Sequence, residues 1–192
     1  MASHAEEIRR QLAESARVKQ SFSDELIGKI SQFAEKSAEA LRAGGKLVFF
    51  GNGGSAADAI HLSAELVVRL RINRRGLAAL ALTTNPSVLT AAGNDMGFDQ
   101  IFSRQIESLV SQHDVLVALS TSGASPNVVL GVEAGRARGA YVVGLTGETG
   151  GHLANKVDLL LNVPSNDAQR IQESHITIGH IACGLIEDLV LR

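Results

Sequence analysis

The stretch from Val48 to Glu65 reads VFFGNGGSAADAIHLSAE, and it guides the interpretation of the whole chain. A short apolar run at 46–50 ends in the turn Gly-Asn-Gly-Gly-Ser at 51–55, and an Ala-rich helical pattern follows at once. This order predicts a strand, a glycine turn and a helix. Glycines let the backbone turn sharply and approach a ligand closely. The amide groups in the first turn of the helix then favour an anionic ligand.

Two polar side chains share one face of that predicted helix. His61 and Glu65 are four residues apart, so they stand one turn apart on the same side. Such a pair can hold a metal ion or share a proton-transfer task. The ordinary alternative is a solvated pair beside a turn that only connects two elements. The turn matches neither the dinucleotide-binding fingerprint nor the Walker loop.

Size and composition limit the classes of protein. The chain has 192 residues, which suits one domain with an added helical segment. With 45% hydrophobic residues, 20% charged residues and a net charge of −2, it predicts a folded globular protein without a general affinity for nucleic acid or anionic membranes. The polar N-terminus, the lack of an apolar run of about 20 residues and the lone Cys183, expected to be inert core, favour the cytoplasm.

Apolar strands alternate with helical patterns along the chain. Strands are predicted at 46–50, 77–82, 114–119, 140–146 and 158–163. Helices are predicted at about 4–20, 24–42, 55–70, 86–92, 98–110, 126–138, 152–155 and 169–190. The alternation predicts an α/β three-layer sandwich, a mainly parallel five-stranded sheet with helices on both faces. The two leading helices, in residues 1–43, are expected to pack on the domain, on a partner subunit, or on both.

A second polar loop, Ser120-Thr121-Ser122-Gly-Ala-Ser125, follows the third predicted strand and precedes Pro126 at a helix start. Four hydroxyls and helix-start amides can surround a phosphate without a fixed positive charge. Hydroxyl-rich turns also serve as plain helix caps, but capping needs fewer hydroxyls than this loop has. Ligands of such sheets bind beyond the carboxyl ends of the strands, where this loop and 51–55 both lie.

Three further groups of polar residues have structural explanations that compete with functional ones. Asn94 and Asp95 stand where a helix is expected to break, as turn residues do. His175 and His180 lie in the last predicted helix, where a histidine is more often structural than catalytic. Cations are favoured at a helix C-terminus, which competes with anion binding as the role of four arginines: Arg69, Arg71, Arg74 and Arg75.

Taken together, these motifs resemble the sugar isomerase (SIS) domain family over essentially the whole chain, and within it the sedoheptulose 7-phosphate isomerases. The segments that carry the resemblance are 51–55, His61 with Glu65, Gly-Asn-Asp at 93–95, 120–125, and Arg-Ile-Gln-Glu-Ser-His at 170–175 with His180. The resemblance implies an aldose–ketose isomerase. Its members convert D-sedoheptulose 7-phosphate to D-glycero-D-manno-heptose 7-phosphate through an enediol(ate), the first step toward nucleotide-activated heptose.

The resemblance also implies which residues form the site. Glu65 and His180 match the acid–base pair of the family. The implied zinc ion, one per subunit, is held by His61, Glu65, Gln172 and His180. The implied substrate-binding residues are Asn52, Gly53, Gly54, Ser55, Glu65, Asn94, Asp95, Ser120, Thr121, Ser122, Ser125 and Gln172. A glutamate cannot be a tight metal ligand and a free base at once, so the coordination of Glu65 would have to loosen during turnover.

The spacing of two implied ligands bears on assembly. Gln172 and His180 are eight residues apart, about 12 Å along a helix that rises about 1.5 Å per residue, whereas metal bonds are only about 2 Å long. Either Gln172 precedes or distorts the helix start, or the two ligands come from different subunits. We favour different subunits, in agreement with the homotetramer that the resemblance implies, with active sites at subunit interfaces and residues 1–43 in those interfaces.

Two alternatives remain open at the level of sequence. Some relatives are non-catalytic scaffolds that bind the replication initiator, and a phosphosugar sensor would bind without turnover. The presence of both Glu65 and His180 favours the enzyme. Position 169 is Gln, where some family members have Asp, which leaves the local substrate contacts open. The ligand types do not distinguish zinc from other divalent ions.

Overall fold

Five parallel strands form the central sheet of the computed structural model, which describes residues 3–191. The strands are β1 Leu47–Gly51, β2 Ala79–Ala81, β3 Val115–Leu119, β4 Tyr141–Thr146 and β5 Leu159–Asn162. Their order in the sheet is β2-β1-β3-β4-β5. Every residue of β1 and β3 is buried, as expected for strands covered on both faces. The predicted α/β architecture is confirmed, with all strand pairs parallel.

Seven α-helices surround the sheet in the described part of the chain. They are α1 His4–Gln20, α2 Asp24–Arg42, α3 Gly54–Val67, α4 Pro86–Asp95, α5 Ser103–Leu109, α6 Pro126–Ala137 and α7 Ala168–Leu191. The starts of α1 and α2 are encoded locally by serine caps. Ser3 forms a capping box with Glu6, and the Ser23 hydroxyl accepts a hydrogen bond from the Leu26 amide.

Alternate residues of the strands face two separate halves of the core. Leu47 and Phe49 pack in the half formed with α2, α3 and α7. Val48 and Phe50 pack in the other half, with α5 and α6. The period of two in a strand therefore builds the three layers directly.

The leading helices belong to this domain. Phe33 of α2 is buried in the same half of the core as Ile178 of α7. Helix α1 is fixed to the start of α7, where the buried guanidinium of Arg170 donates to the backbone and side-chain oxygens of Gln11. Both leading helices therefore pack on the rest of this chain, and their place in a subunit interface stays a prediction.

Several element boundaries differ from the prediction. Helix α4 does not end at 92. It continues through Asn94 to Asp95, and the chain turns only at Gly97, whose φ of 93° favours glycine. The helix predicted at 98–110 is divided into a 3-10 turn at Phe98–Gln100 and the separate helix α5. Strand β2 has three residues, whereas six were expected.

Helix α7 is, by length and composition alone, long and apolar enough to cross a membrane. The expectation from sequence was that no apolar run approaches the roughly 20 residues that a membrane span needs. Half of its most apolar window is buried in the molecule, where Ile171, Ile178 and Ile186 cover the sheet. This burial is what the core helix of a globular domain shows.

Candidate active site

Helices α3 and α7 run side by side in the same direction, and the candidate site is built on this pair. Their contacts follow a constant register, with partners separated by 117 to 119 positions in the sequence. The matched positions are Gly54 with Gln172, His61 with His180, Leu62 with Gly179, and Leu70 with Glu187. Three residues of α3, and Leu70 just after its end, therefore each face a fixed level of α7.

The absence of a side chain at Gly179 allows this close packing. A Cβ atom at Gly179 would lie 2.5 Å from both terminal carbons of Leu62, closer than real contacts allow. Leu62 is fully buried, so it cannot swing out to solvent. Gly179 therefore sets how near the two helices come at the level of His61 and His180.

Three ligand-type side chains meet at that level. The Nε2 atoms of His61 and His180 are 2.8 Å apart, and His61 Nε2 lies 3.3 Å from Glu65 Oε1. The two imidazole rings are nearly perpendicular, with centroids 5.0 Å apart. The His61 side chain is 48% exposed and the Glu65 side chain 20% exposed, so the cluster opens to the surface of the monomer.

The cluster fits a bound metal ion. One ligand atom from each of His61, Glu65 and His180 lies within 4.8 Å of the others. Ligand atoms about 2.0–2.2 Å from a tetrahedral zinc ion stand roughly 3.3 Å apart from one another. The His61–Glu65 distance meets this value, and the two histidine nitrogens would have to open by about 0.5 Å. Two imidazoles and one carboxylate leave a fourth position open, as catalytic zinc sites do.

Gln172 lies away from this cluster. Its amide packs against Gly54, at the other end of α3. Helix α7 is continuous from Ala168, so the alternative that Gln172 precedes the helix is wrong. Along a regular helix it stands about 12 Å from His180.

A groove between the first turns of α3 and α7 holds a residue that sequence analysis missed. Asp58 lines this groove together with Gln169, Gln172 and Glu173. Its Oδ2 atom is buried and has no hydrogen-bond partner among residues 3–191. Burial raises the pKa of Asp58 to about 6. The signal was available, since Asp58 precedes His61 by three and Glu65 by seven residues, on one helix face.

The two polar loops meet at the switch point of the sheet. Gly51 at the end of β1 pairs with Leu119 at the end of β3. The chain leaves β1 toward β2 on one side and returns to β3 on the other, and sheets of this strand order bind ligands at that position. The loops 51–55 and 120–125 therefore lie side by side.

A reciprocal pair of amides joins these loops. Asn52 donates to Asn127 Oδ1 at 2.8 Å, and Asn127 donates to Asn52 Oδ1 at 2.9 Å. Asn127 is 1% exposed. Sequence analysis missed Asn127, because a polar residue in the first turn of a helix ordinarily points to solvent. The pair fixes the glycine turn against the start of α6.

Two hydroxyls of the loop 120–125 hold the loop in shape, whereas the hydroxyl of Ser125 does not cap the helix that follows. Ser120 Oγ accepts from the Gly123 amide at 3.1 Å, and Ser122 Oγ accepts from the Ala124 amide at 3.2 Å, which shapes the loop. Ser125 occupies the N-cap position of α6 but makes no capping hydrogen bond with its side chain. Its hydroxyl lies 3.5 Å from Ser120 Oγ. Helix capping therefore does not account for Ser125.

Asn94 and Asp95 are exposed at the end of α4, where the Asn94 amide donates to Asp95 at 2.7 Å. Within residues 3–191, neither side chain is hydrogen-bonded to the two polar loops. A cleft of about 430 Å³ lies between the glycine turn and Phe98, just beyond the end of α4. Neither Asn94 nor Asp95 lines this cleft.

Arg74, His175 and Cys183 lie in structural surroundings outside the cluster. Arg74 donates to the carbonyls of Glu65 and Leu66, which confirms for this arginine the role of a cation at a helix C-terminus. His175 is fully buried with Nε2 3.1 Å from the Thr146 carbonyl, and burial lowers its pKa to about 4. Cys183 is buried core, and burial raises the pKa of its thiol to about 12, as expected for an inert cysteine.

Comparisons with known proteins agree with this geometry. A family model described as SIS domain matches residues 11–147. The phosphoheptose isomerase of Geobacter sulfurreducens is 52% identical over 182 residues, 95% of this chain and 96% of that protein. The structure of phosphoheptose isomerase GmhA from Neisseria gonorrhoeae matches with a TM-score of 0.92 and 44% identity, over 97% of this chain and 100% of that one.

A more distant structure shares the fold alone. The NanR protein of Vibrio vulnificus, solved in complex with ManNAc-6P, matches with a TM-score of 0.66 and 16% identity. The match covers 96% of this chain and 66% of that chain.

Proposed function

The chain belongs to the SIS domain family, and on that basis we propose that it is a phosphoheptose isomerase. It interconverts D-sedoheptulose 7-phosphate and D-glycero-D-manno-heptose 7-phosphate, the first step toward nucleotide-activated heptose. The observation that carries the proposal is the cluster of His61, Glu65 and His180, with donor atoms 2.8 and 3.3 Å apart. A non-catalytic scaffold or a phosphosugar sensor of the same fold has no need of such a set.

Isomerisation moves a proton between C1 and C2 of the sugar, and two groups of the cluster suit the task. Glu65 faces His61 through Oε1, so its Oε2 remains available to take the proton from carbon. His180 Nε2 faces the same place. As with Glu65, it can give a proton to the substrate oxygen only while it is not bound to a metal ion, because a coordinated ring nitrogen carries no proton. Placing base and acid on adjacent helices serves both halves of the transfer.

A divalent ion completes this set. We assign His61, Glu65 and His180 of one subunit to a zinc ion, with Gln172 as a further ligand. When bound, the ion polarises the carbonyl and hydroxyl oxygens of the sugar and stabilises their developing charge. The donor set of two imidazoles and a carboxylate suits zinc chemically.

The phosphate end of the substrate binds at the switch point. The hydroxyls of Ser120, Thr121, Ser122 and Ser125 and the start of α6 receive the phosphate. The turn Asn52-Gly53-Gly54-Ser55 contacts the sugar, with Asn94 and Asp95 across the cleft and Gln172 at its edge. Support comes from the Asn52–Asn127 pair, which holds turn and loop together before a ligand arrives.

The active form is an oligomer, a homotetramer of cytoplasmic subunits with residues 1–43 in its interfaces. Exposed apolar side chains support this, since Ile27, Ile181 and Leu185 line one surface groove beside His180. Ile8 and Leu12 of α1 are also exposed. The spacing of Gln172 and His180 on one continuous helix supports a site to which a second subunit contributes Gln172.

The test is conversion of sedoheptulose 7-phosphate by the purified protein, followed as formation of the aldose phosphate. We expect Glu65→Gln and His180→Gln each to lower kcat by a factor of about 10² or more, because each removes an acid–base group. Glu107→Gln and His113→Gln are matched controls at exposed positions outside the site, and should retain parental activity. Removal of the metal with a chelator should abolish turnover, and addition of zinc should restore it.

Two results would contradict the proposal. Parental turnover by both site variants would remove the acid–base assignment. Saturable binding of the sugar phosphate without turnover would place the protein among the sensors or scaffolds of the fold.

A further inference from the structure

A buried ion pair lies below the candidate metal cluster, on the same two helices. Glu187 follows His180 by seven residues, so both occupy one face of α7. Its carboxylate lies 2.8 Å from Arg74 Nη2, and both side chains are 1% exposed. The pair has no part in the isomerisation as proposed above.

Glu187 holds the chain directly after α3. It accepts hydrogen bonds from the backbone amides of Leu70 and Arg71 at 3.0 Å, and from Ile72 at 3.4 Å. Three amide donors and one guanidinium account for a carboxylate that would otherwise be costly to bury.

Arg74 completes the connection to the cluster. It donates to the Glu65 carbonyl at 3.0 Å and to the Leu66 carbonyl at 2.8 Å. These carbonyls belong to the last turn of α3, which ends at Val67, so they are among the groups that a helix leaves without internal partners. Arg74 therefore holds Glu65, the candidate base, through the backbone carbonyl of that residue.

Stability alone is a weak reason for this arrangement. Replacing a buried ion pair by packed apolar residues is often neutral or stabilising, because desolvation offsets the attraction of the charges. A continuous connection from α7 through Glu187 and Arg74 to the Glu65 carbonyl does something that apolar packing does not. It ties the helix that carries His180 to the turn that carries Glu65.

We propose that Arg74 and Glu187 are positioning residues that fix Glu65 relative to His61 and His180, and so set the metal affinity of the cluster. The inference deepens the proposed function and rests on the role assigned there to the cluster. Groups behind metal ligands typically change affinity about 10- to 100-fold when altered. We expect Glu187→Gln and Arg74→Lys to weaken Zn²⁺ binding about 10-fold or more.

The experiment measures Zn²⁺ affinity by competition with a chromophoric chelator, with thermal stability recorded for each variant. Asp114→Asn is the matched control, because Asp114 is a buried carboxylate that pairs with Lys46 at 2.7 Å at the starts of β3 and β1, and among residues 3–191 it makes no side-chain hydrogen bond to α3 or α7. It should lower stability and leave Zn²⁺ affinity at the parental value. Arg74→Lys keeps a cation beside Glu187 but loses the guanidinium hydrogen bonds to the Glu65 and Leu66 carbonyls. This variant therefore still tests the proposal if Glu187→Gln does not fold.

A second readout is independent of metal and of turnover. The ring proton NMR signals of His61 and His180 in the metal-free protein should shift in Glu187→Gln and Arg74→Lys, and remain parental in Asp114→Asn. Unchanged Zn²⁺ affinity and unchanged ring signals in both site variants would overturn the proposal. A parent that binds Zn²⁺ with the expected pattern but does not isomerise would refute the proposed function and leave this inference standing.

Discussion

Burial shifts the pKa of individual side chains in this protein away from the values they have in water. His175 is the clearest case outside the candidate site, because burial lowers its pKa from 6.5 to about 4. The folded state therefore keeps His175 neutral where the unfolded chain would protonate it. Protonation of the unfolded chain begins as the pH falls through about 6.5, so stability is lost from there down to about pH 4.

We expect His175→Gln to reduce this acid sensitivity. A glutamine can still donate to the Thr146 carbonyl but takes up no proton. The shift corresponds to roughly 3 kcal/mol of unfolding free energy at pH 4, at about 1.4 kcal/mol per pKa unit. Urea unfolding at pH 7 and pH 4 measures it, with His113→Gln at an exposed histidine as the control. Equal acid losses in the parent and His175→Gln would contradict the assignment.

At the residue scale, the sequence predicted the candidate catalytic and metal-binding residues better than the residues that hold them in place. The residues His61, Glu65 and His180 were predicted from their types and from the resemblance, and the structure brings them together. Asn127 and the role of Glu187 were not predictable, because their partners lie 75 and 117 positions away in the chain. Local patterns contain no information about which distant backbone groups a buried polar side chain will meet.

At the scale of elements, the packing of α3 on α7 depends on the glycine at 179. We expect Gly179→Ala to destabilise the fold by about 1–3 kcal/mol, the usual cost of overpacking, although alanine is the better helix former. The added methyl would force Leu62 and the two helices apart.

Gly28→Ala on α2 is the matched control for that variant. A Cβ atom at Gly28 meets nothing within 4 Å, so this change should stabilise by about 0.5–1 kcal/mol through helix propensity alone. Chemical denaturation of both variants gives the comparison. A stabilised Gly179→Ala would show that the helices adjust freely at this level.

The elements themselves were largely predictable from periodicity and caps. All five strands and the helices α1, α2, α6 and α7 lie within one to three residues of the expected bounds. One error came from the interpretation of a glycine. Gly93 does not end α4, whereas Gly97 does because it adopts a positive φ, and sequence alone does not show which glycine will do so.

At the scale of the whole molecule, the apolar surface beside the cluster allows a test of the proposed assembly. Ile27 is 54% exposed and borders the groove formed with Ile181 and Leu185. We expect Ile27→Lys to shift the protein toward monomers, measured by sedimentation velocity, because a charge would have to be buried at a subunit contact. Leu109→Lys, at an exposed leucine of α5 away from this groove, is the control. Parental mass for Ile27→Lys would remove this groove from the interface.

The proposal that two subunits share each site has a direct test. Gln172→Ala and His180→Gln chains should each be inactive alone. Mixed after dissociation and reassembled, they should regain part of the parental turnover, because some sites then pair an intact His180 with an intact Gln172 of the partner subunit. No recovery in verified mixed oligomers would mean that both ligands come from one chain.

The constant register between α3 and α7 has a consequence for how this protein tolerates changes of length. Loss or gain of residues between Arg74 and the start of α7 leaves every matched level intact. Loss of a single residue between His61 and Glu65 turns the rest of α3 by about 100° and sends the carboxylate to another face of the helix. Insertions and deletions should therefore accumulate between these helices during divergence and be excluded within them, even where substitutions are frequent.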